Sequence, residues 1–262
     1  QSISAAIEAI APLSTAEPWD AVGLQVGDPQ DEVYGLLLAV DATLEMVARA
    51  SDVGAQMLVV HHPLLFSPLS TVIAGDPIAD VTAELIRGRI SLYAAHTNLD
   101  VAPRLGTAAA LAEVLELQDP RVLSAGMTAT GVETVGAGRI GTVSATTAGA
   151  FAARVASTLG APATRIFGDP DAAVARIAVI PGSGGGGIAE ARASGAELLV
   201  TGELKHHELL EARARGLVVV LAGHLQTERP VLPLLQRHLS ETLPGLEVTV
   251  HDAIWPERIA GG

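Results

Sequence analysis

The sequence predicts an α/β protein made of two similar α/β domains, an internal duplication, with largely parallel sheets. Short apolar runs alternate with stretches of helical spacing, the pattern of βαβ units and so of parallel strands. Residues 48–59 read closely like residues 191–200, and each block leads into a His-bearing cluster, then a helix and another strand. Those later strands end in Ala95-His96-x3-Asp100 and Gly223-His224-x3-Glu228, so the two halves match in the order of their elements.

Taken in order, Ile3, Ile7, Ile10 and Leu13 form one stripe and predict a helix over 3–13. Residues 18–29 read as a loop or short strand closed by Gly27-Asp28-Pro29. Residues 34–40 are a buried strand, and Asp41 or Thr43 can cap the helix that follows. That helix ends near Gly54, and a strand at 57–60 delivers His61 and His62. A Pro- and Ser-containing loop leads to a helix at 77–88, a strand at 91–95 that delivers His96 and Asp100, and a helix at 107–117. The Gly-, Thr- and Ala-rich residues 118–150 hold the crossing between halves, giving expected domains of 1–124 and 125–262, with a strand at 139–143. The second half then reads helix 148–159, a short segment near 165–168, strand 176–180, a glycine turn at 182–187 and helix 188–194. Strand 197–201, helix 206–215 and strand 217–221 follow. Beyond that strand a helical turn would put His224 and Glu228 on one face. A helix over 231–239, broken early by Pro233, and an edge strand at 246–250 complete the chain.

Composition narrows the function. At 262 residues there is ample core for one large or two smaller domains, built from Ala, Val, Leu and Ile because aromatics make up only 3%. No apolar run reaches the roughly 18 residues of a membrane helix, and no basic segment followed by an apolar stretch opens the chain. A cytoplasmic protein without membrane contact is expected. With no cysteine, disulfides, thiolate ligands and a Cys nucleophile are excluded. A net charge of −13 argues against a general nucleic-acid surface, though not against a local basic pocket for a phosphorylated ligand. The single lysine, Lys205, stands inside a His-rich cluster.

Six of the eight histidines fall in four short clusters, each at the end of an apolar run. Parallel α/β sheets put functional residues beyond the carboxyl ends of their strands. His61, His62, His96, Asp100, Glu203, His224 and Glu228 all lie there. A lone histidine at a strand end is most often a structural one, but so many together with carboxylates point to a metal site between the two domains. Imidazole with carboxylate suits Zn, Mn, Fe, Co or Ni rather than Ca or Mg. The number of donors suits two divalent ions. Gly182, Gly184 and Gly187 satisfy G-x-G-x-x-G with Glu203 about 20 residues on, yet a near-homopolymer of glycine fits almost any glycine pattern. A close backbone approach is the better reading of that run.

Five motifs, in order, resemble the Nif3-like family. They are Trp19-Asp20-x-Val22-Gly23-Leu24-Gln25-Val26-Gly27, His61-His62-Pro63, His96-Thr97-Asn98-Leu99-Asp100, Thr201-Gly202-Glu203-x-Lys205-x-His207 and Gly223-His224-x3-Glu228. The resemblance covers most of the chain. It implies two α/β domains, a dinuclear metal centre and a homohexamer, and many members carry the label GTP cyclohydrolase 1 type 2 homolog. It also implies His61, His62, Asp100, His224 and Glu228 as metal ligands, with His96 as a neighbour. Ala21 stands where the family usually has Asn, Glu203 where it has Asp, and Leu225 where an aromatic is frequent. These departures touch no implied ligand and bear on the substrate instead.

The expected function is a metal-dependent hydrolase acting on a nucleotide or phosphorylated small molecule. Lys205, His207 and His96 are its candidate catalytic groups, stabilising developing charge or moving a proton. The competing reading is a non-catalytic regulatory, scaffold or metal-handling protein, since a ligand set does not by itself imply turnover.

Overall fold

The computed structural model describes residues 2–123 and 136–251. In chain order its elements are α1 (Ile3–Glu8), β1 (Gly23–Val26), β2 (Gly35–Ala39), α2 (Leu44–Asp52), β3 (Met57–Val60), α3 (Pro77–Gly88), β4 (Ser91–Ala94) and α4 (Thr97–Asp100). Then come α5 (Thr107–Val114), β5 (Gln118–Val122), β6 (Arg139–Thr147), α6 (Ala148–Leu159), β7 (Arg165–Phe167), β8 (Ala173–Ser183), α7 (Ile188–Ala193) and β9 (Leu198–Glu203). The chain closes with α8 (His206–Ala214), β10 (Val218–Leu221), α9 (His224–Glu228), α10 (Val231–Thr242) and β11 (Glu247–Val250). The described residues divide into two compact units, one of residues 2–99 together with 232–251, the other of the described residues between 100 and 231. The domain boundary expected at 124/125 lies outside the described residues.

The first unit holds a five-stranded sheet in the order β1-β4-β3-β2-β11. Strands β11, β2, β3 and β4 run parallel, and β1 joins β4 antiparallel. All five residues of β2 and all four of β3 are buried, as parallel strands covered by crossover helices should be. Its core sets Leu37, Leu58, Val60 and Leu92 against Val47 of α2 and Leu85 of α3. Each such side chain removed from water is worth about 1.5–3 kcal/mol.

The second unit holds a six-stranded sheet in the order β5-β6-β8-β9-β10-β7. Its centre, β8-β9-β10, is parallel, while β6 on β8, β5 on β6 and β7 on β10 are antiparallel. Alternation along these strands sorts side chains into two clusters. Ile177, Val179, Leu198, Val200, Val218 and Val220 pack with Phe151 and Val155 of α6. Ala178, Ile180, Leu199, Val219 and Leu221 pack with Ile188 of α7 and Ala212 of α8. The two units share one core connectivity. In each, three parallel strands are joined by two helices, a short helix follows the third strand, and an earlier strand pairs antiparallel with that third strand.

Several element ends differ from expectation for local reasons. The first helix is capped by Ser2 and stops at Glu8 rather than running to 13; Pro12 disfavours helical backbone at the residue before it. Thr43, not Asp41, caps α2, accepting from the Met46 amide at 3.2 Å. Pro233 does not break α10. It occupies the first turn, where a missing N–H removes no internal helix bond. Among the described residues no helix is long and apolar enough to cross a membrane.

Candidate metal-binding groups

In the first unit, β3 and β4 end side by side, since Val60 pairs with Ala94. The chain beyond each end therefore delivers His61, His62 and His96 to one place. Their ring centroids lie 4.9 Å (His61–His62), 5.1 Å (His61–His96) and 5.5 Å (His62–His96) apart. Each offers one ring nitrogen in a set mutually within 4.8 Å, close enough to share one ion.

The three rings are oriented through Nδ1. His61 Nδ1 is 2.8 Å from the Ala95 carbonyl, His62 Nδ1 2.8 Å from Asp41 Oδ1, and His96 Nδ1 2.9 Å from Asp20 Oδ1. Every one of these partners is an oxygen acceptor, so each neutral imidazole carries its proton on Nδ1 and its lone pair on Nε2. That tautomer is the one a metal-ligating histidine uses when a carboxylate or carbonyl stands behind it. Asp20 is itself held firmly. Its side chain is inaccessible to solvent, and it accepts from the Thr97 amide and hydroxyl as well as from His96. Burial alone would raise its pKa, but the bonds from Thr97 and His96 outweigh that and leave it below the ordinary carboxylate value.

In the second unit, the helical turn expected after β10 forms as α9 and brings His224 and Glu228 together. His224 Nε2 lies 3.0 Å from Glu228 Oε1, and its Nδ1 lies 3.2 Å from Glu203 Oε1 at the end of β9. Glu228 is buried at 5% exposure, low for a carboxylate. The glycine run makes room for it. Gly182 has φ +61°, and a Cβ there would stand 2.3 Å from Glu228 Oε1 and 3.0 Å from His224 Nε2. The Gly182 amide donates to Thr227 Oγ1, tying the run to α9. Gly202 is equally constrained, because a Cβ would lie 2.7 Å from the His224 Cα. The run thus serves a close backbone approach, and the G-x-G-x-x-G match is incidental to it.

Asp100 ends α4, and its Oδ1 accepts from the Thr107 hydroxyl. Lys205 and His207 are exposed at the start of α8, where the Lys205 amide donates to Glu208 Oε2 at 2.6 Å. The sequence reading missed Asp20 and Asp41 as partners of His96 and His62. For Asp41 a signal was present: it follows the strand β2 next to β3, so it stands at the same sheet end as His62.

Two α/β units whose strand ends carry imidazole and carboxylate groups define a protein with side chains that could hold metal ions. The chain belongs to the Duf34/NIF3 (NGG1p interacting factor 3) family, whose sequence profile matches residues 1–254. A Streptomyces coelicolor relative named GTP cyclohydrolase 1 type 2 homolog is 38% identical over 252 residues, covering 94% of this chain and 88% of that protein. A Clostridium perfringens relative of the same name is 32% identical over 239 residues, covering 90% and 89%. Among solved structures, Staphylococcus aureus protein SA1388 superposes with a TM-score of 0.90 at 28% identity over 98% of this chain and 97% of that one. A Bacillus cereus protein related to NIF3 shares the fold at a TM-score of 0.89, with 24% identity and 97% of each chain covered.

Proposed function

We propose that this chain is a metal-dependent hydrolase that binds two divalent ions and acts on a nucleotide or another phosphorylated small molecule. The observation that carries the reading is the shared orientation of His61, His62 and His96, whose Nδ1 atoms all face oxygen acceptors. Rings fixed in that tautomer fit divalent ions of the Zn, Mn, Fe, Co or Ni kind. We assign His61, His62, Asp100, His224 and Glu228 as ligands, and His96, beside His61 and His62, as a group that moves a proton. When bound, such ions would act as Lewis acids toward a carbonyl or phosphoryl oxygen and toward water.

The chain's own groups divide the remaining work. Asp41 and Asp20 hold the His62 and His96 rings and raise their basicity. Asp100 and Glu228 bring negative charge that partly offsets that of the cations. Lys205 and His207, both exposed, are suited to offset charge on a phosphorylated substrate or to protonate a leaving group. Because the Streptomyces and Clostridium relatives are named GTP cyclohydrolase 1 type 2 homolog, nucleotides are the first substrates to try. We further propose a homohexamer, in keeping with the exposed apolar side chains Val72, Ile73, Ile78 and Ile86 around α3.

The test is elemental analysis of metal-loaded protein followed by a screen of nucleotides and phosphoesters for hydrolysis. Two ions per chain with turnover that chelation abolishes is the expected result. One ion or none removes the dinuclear assignment. Two ions with no turnover of any substrate class favours a metal-handling or scaffold role instead.

A further inference from the structure

The chain has two Trp, two Tyr and three Phe in 262 residues. Its cores are mainly aliphatic, with Tyr93 and Phe151 the fully buried aromatics among the described residues. Against that background two aromatics stand in contact at the surface, Trp19 at 58% and Phe66 at 49% exposure. Their ring centroids are 5.8 Å apart at 44°. A third ring, that of His96, meets Trp19 edge-on at 6.3 Å and 73°. The exposed pair therefore adjoins the three-histidine cluster of the first unit.

The pair is held in place from both sides. Asp20, next to Trp19, is tied to Thr97 and His96, and the Glu17 amide donates to Thr97 Oγ1 at 2.9 Å. Phe66 lies in the loop after β3, which Gln25 fastens. Gln25 Oε1 accepts from the Leu64 and Leu65 amides at 2.9 and 3.1 Å. Its Nε2 donates to the Ala21 carbonyl at 2.9 Å and the Leu65 carbonyl at 3.3 Å. One amide side chain thus joins the Trp19 loop to the Phe66 loop. A fixed pair of aromatic faces open to water is a surface on which a flat ring can stack with little ordering cost.

We propose that Trp19 and Phe66 form a stacking platform for the planar heteroaromatic ring of the substrate, a nucleobase or a ring of that kind. The ring would lie beside His96 while the reacting part of the molecule meets the histidine cluster. Gln25 is a positioning residue for this platform. The inference rests on the reading of the histidine cluster as a metal centre and adds to it the class of substrate.

The experiment uses the metal-loaded full chain carrying Trp255→Phe, so that Trp19 is its only indole. GMP and guanosine are compared with ribose 5-phosphate, which has the sugar phosphate but no aromatic ring. Saturable quenching of Trp19 by GMP and guanosine, with none from ribose 5-phosphate, is the expected result. Calorimetry on chains that keep Trp255 should show Trp19→Leu and Phe66→Leu each weakening GMP by about ten-fold, the order of one lost stacking contact. Trp19→Phe should recover most of the affinity, and metal content should match the parent in all three. Equal binding of GMP and ribose 5-phosphate, or no quenching by any ring compound, overturns the platform. So does a Trp19 shielded from acrylamide until the assembly is dissociated, because another copy then covers the pair. Metal content separates this from the wider reading. Ring-dependent quenching in protein that takes up no metal sinks the metal centre and leaves the platform standing, whereas loaded protein without ring preference sinks the platform alone.

Discussion

The carboxylates behind the histidines make a sharper test of the candidate site than the histidines themselves. Asp41→Asn keeps the shape at His62 but replaces a charged acceptor with an amide, so metal affinity should fall by roughly 10- to 100-fold with the fold intact. Competition against a metallochromic chelator would measure it, and an unchanged affinity would detach Asp41 from the site. Gly182→Ala should do more harm than its size suggests. The added methyl meets Glu228 Oε1 and His224 Nε2, and the left-handed backbone there costs a non-glycine residue about 1 kcal/mol or more. We expect loss of metal together with a lowered Tm, read by elemental analysis and thermal denaturation. Glu228→Gln, by contrast, should lose metal while keeping its circular dichroism, because it removes charge without adding volume. At this scale the histidines were legible because they cluster at the ends of apolar runs. Asp20 was not, because pairing His96 with a residue 76 positions away is a tertiary event with no local pattern, and Asp41 becomes readable only once β2 is set beside β3.

Elements were legible where burial imposed a period and obscure where it did not. The strands Met57–Val60 and Val218–Leu221 are buried throughout and stand out as apolar runs. The edge strand Gln118–Val122 is exposed at four of its five residues and reads as loop, and the antiparallel β1 and β7 are too short to declare themselves. Pro233 misled because a proline in a first turn and one in a helix interior look alike in sequence. Pro233→Ala should therefore change stability by less than about 0.5 kcal/mol, whereas a true helix breaker would yield a gain of several times that. At the start of β9, Glu197 Oε2 accepts from the Ala175 and Arg176 amides at 2.6 and 2.9 Å, fastening β8. Those bonds, Arg176's first, lower its pKa against a smaller opposing effect of burial. A carboxyl depressed on folding contributes stability above its unfolded pKa, about 4.3, and that contribution is lost as pH falls through the lower folded value. Glu197→Gln should accordingly cost a little stability near pH 7 and flatten the acid limb of the Tm profile. The residue is exposed, so the effect should stay below about 1 kcal/mol. A Tm difference that is the same at pH 7 and pH 3 would reject the account.

At the scale of the molecule, the proposed hexamer predicts that light scattering at micromolar concentration reports six chains, with Ile78→Glu and Ile86→Glu on α3 shifting it toward smaller species. A stable wild-type monomer would remove the proposal. The alternating order of strands and helices made the α/β class readable, because each βαβ unit is local in sequence. The membership of the first sheet was not readable, since its last strand comes from the far end of the chain. β11 pairs with β2 in register from Glu247 on Gly35 to Val250 on Leu38, so residues 100–231 are all made before that strand exists. On the ribosome, then, the wholly buried β2 waits with one backbone edge open while more than a hundred residues of another unit are synthesised. An unpaired apolar edge is a template for pairing with a neighbouring chain. The nascent first unit should therefore be a client for chaperones, and a chain stopped after Gly245 should be recovered mainly in aggregates while the complete chain stays dispersed.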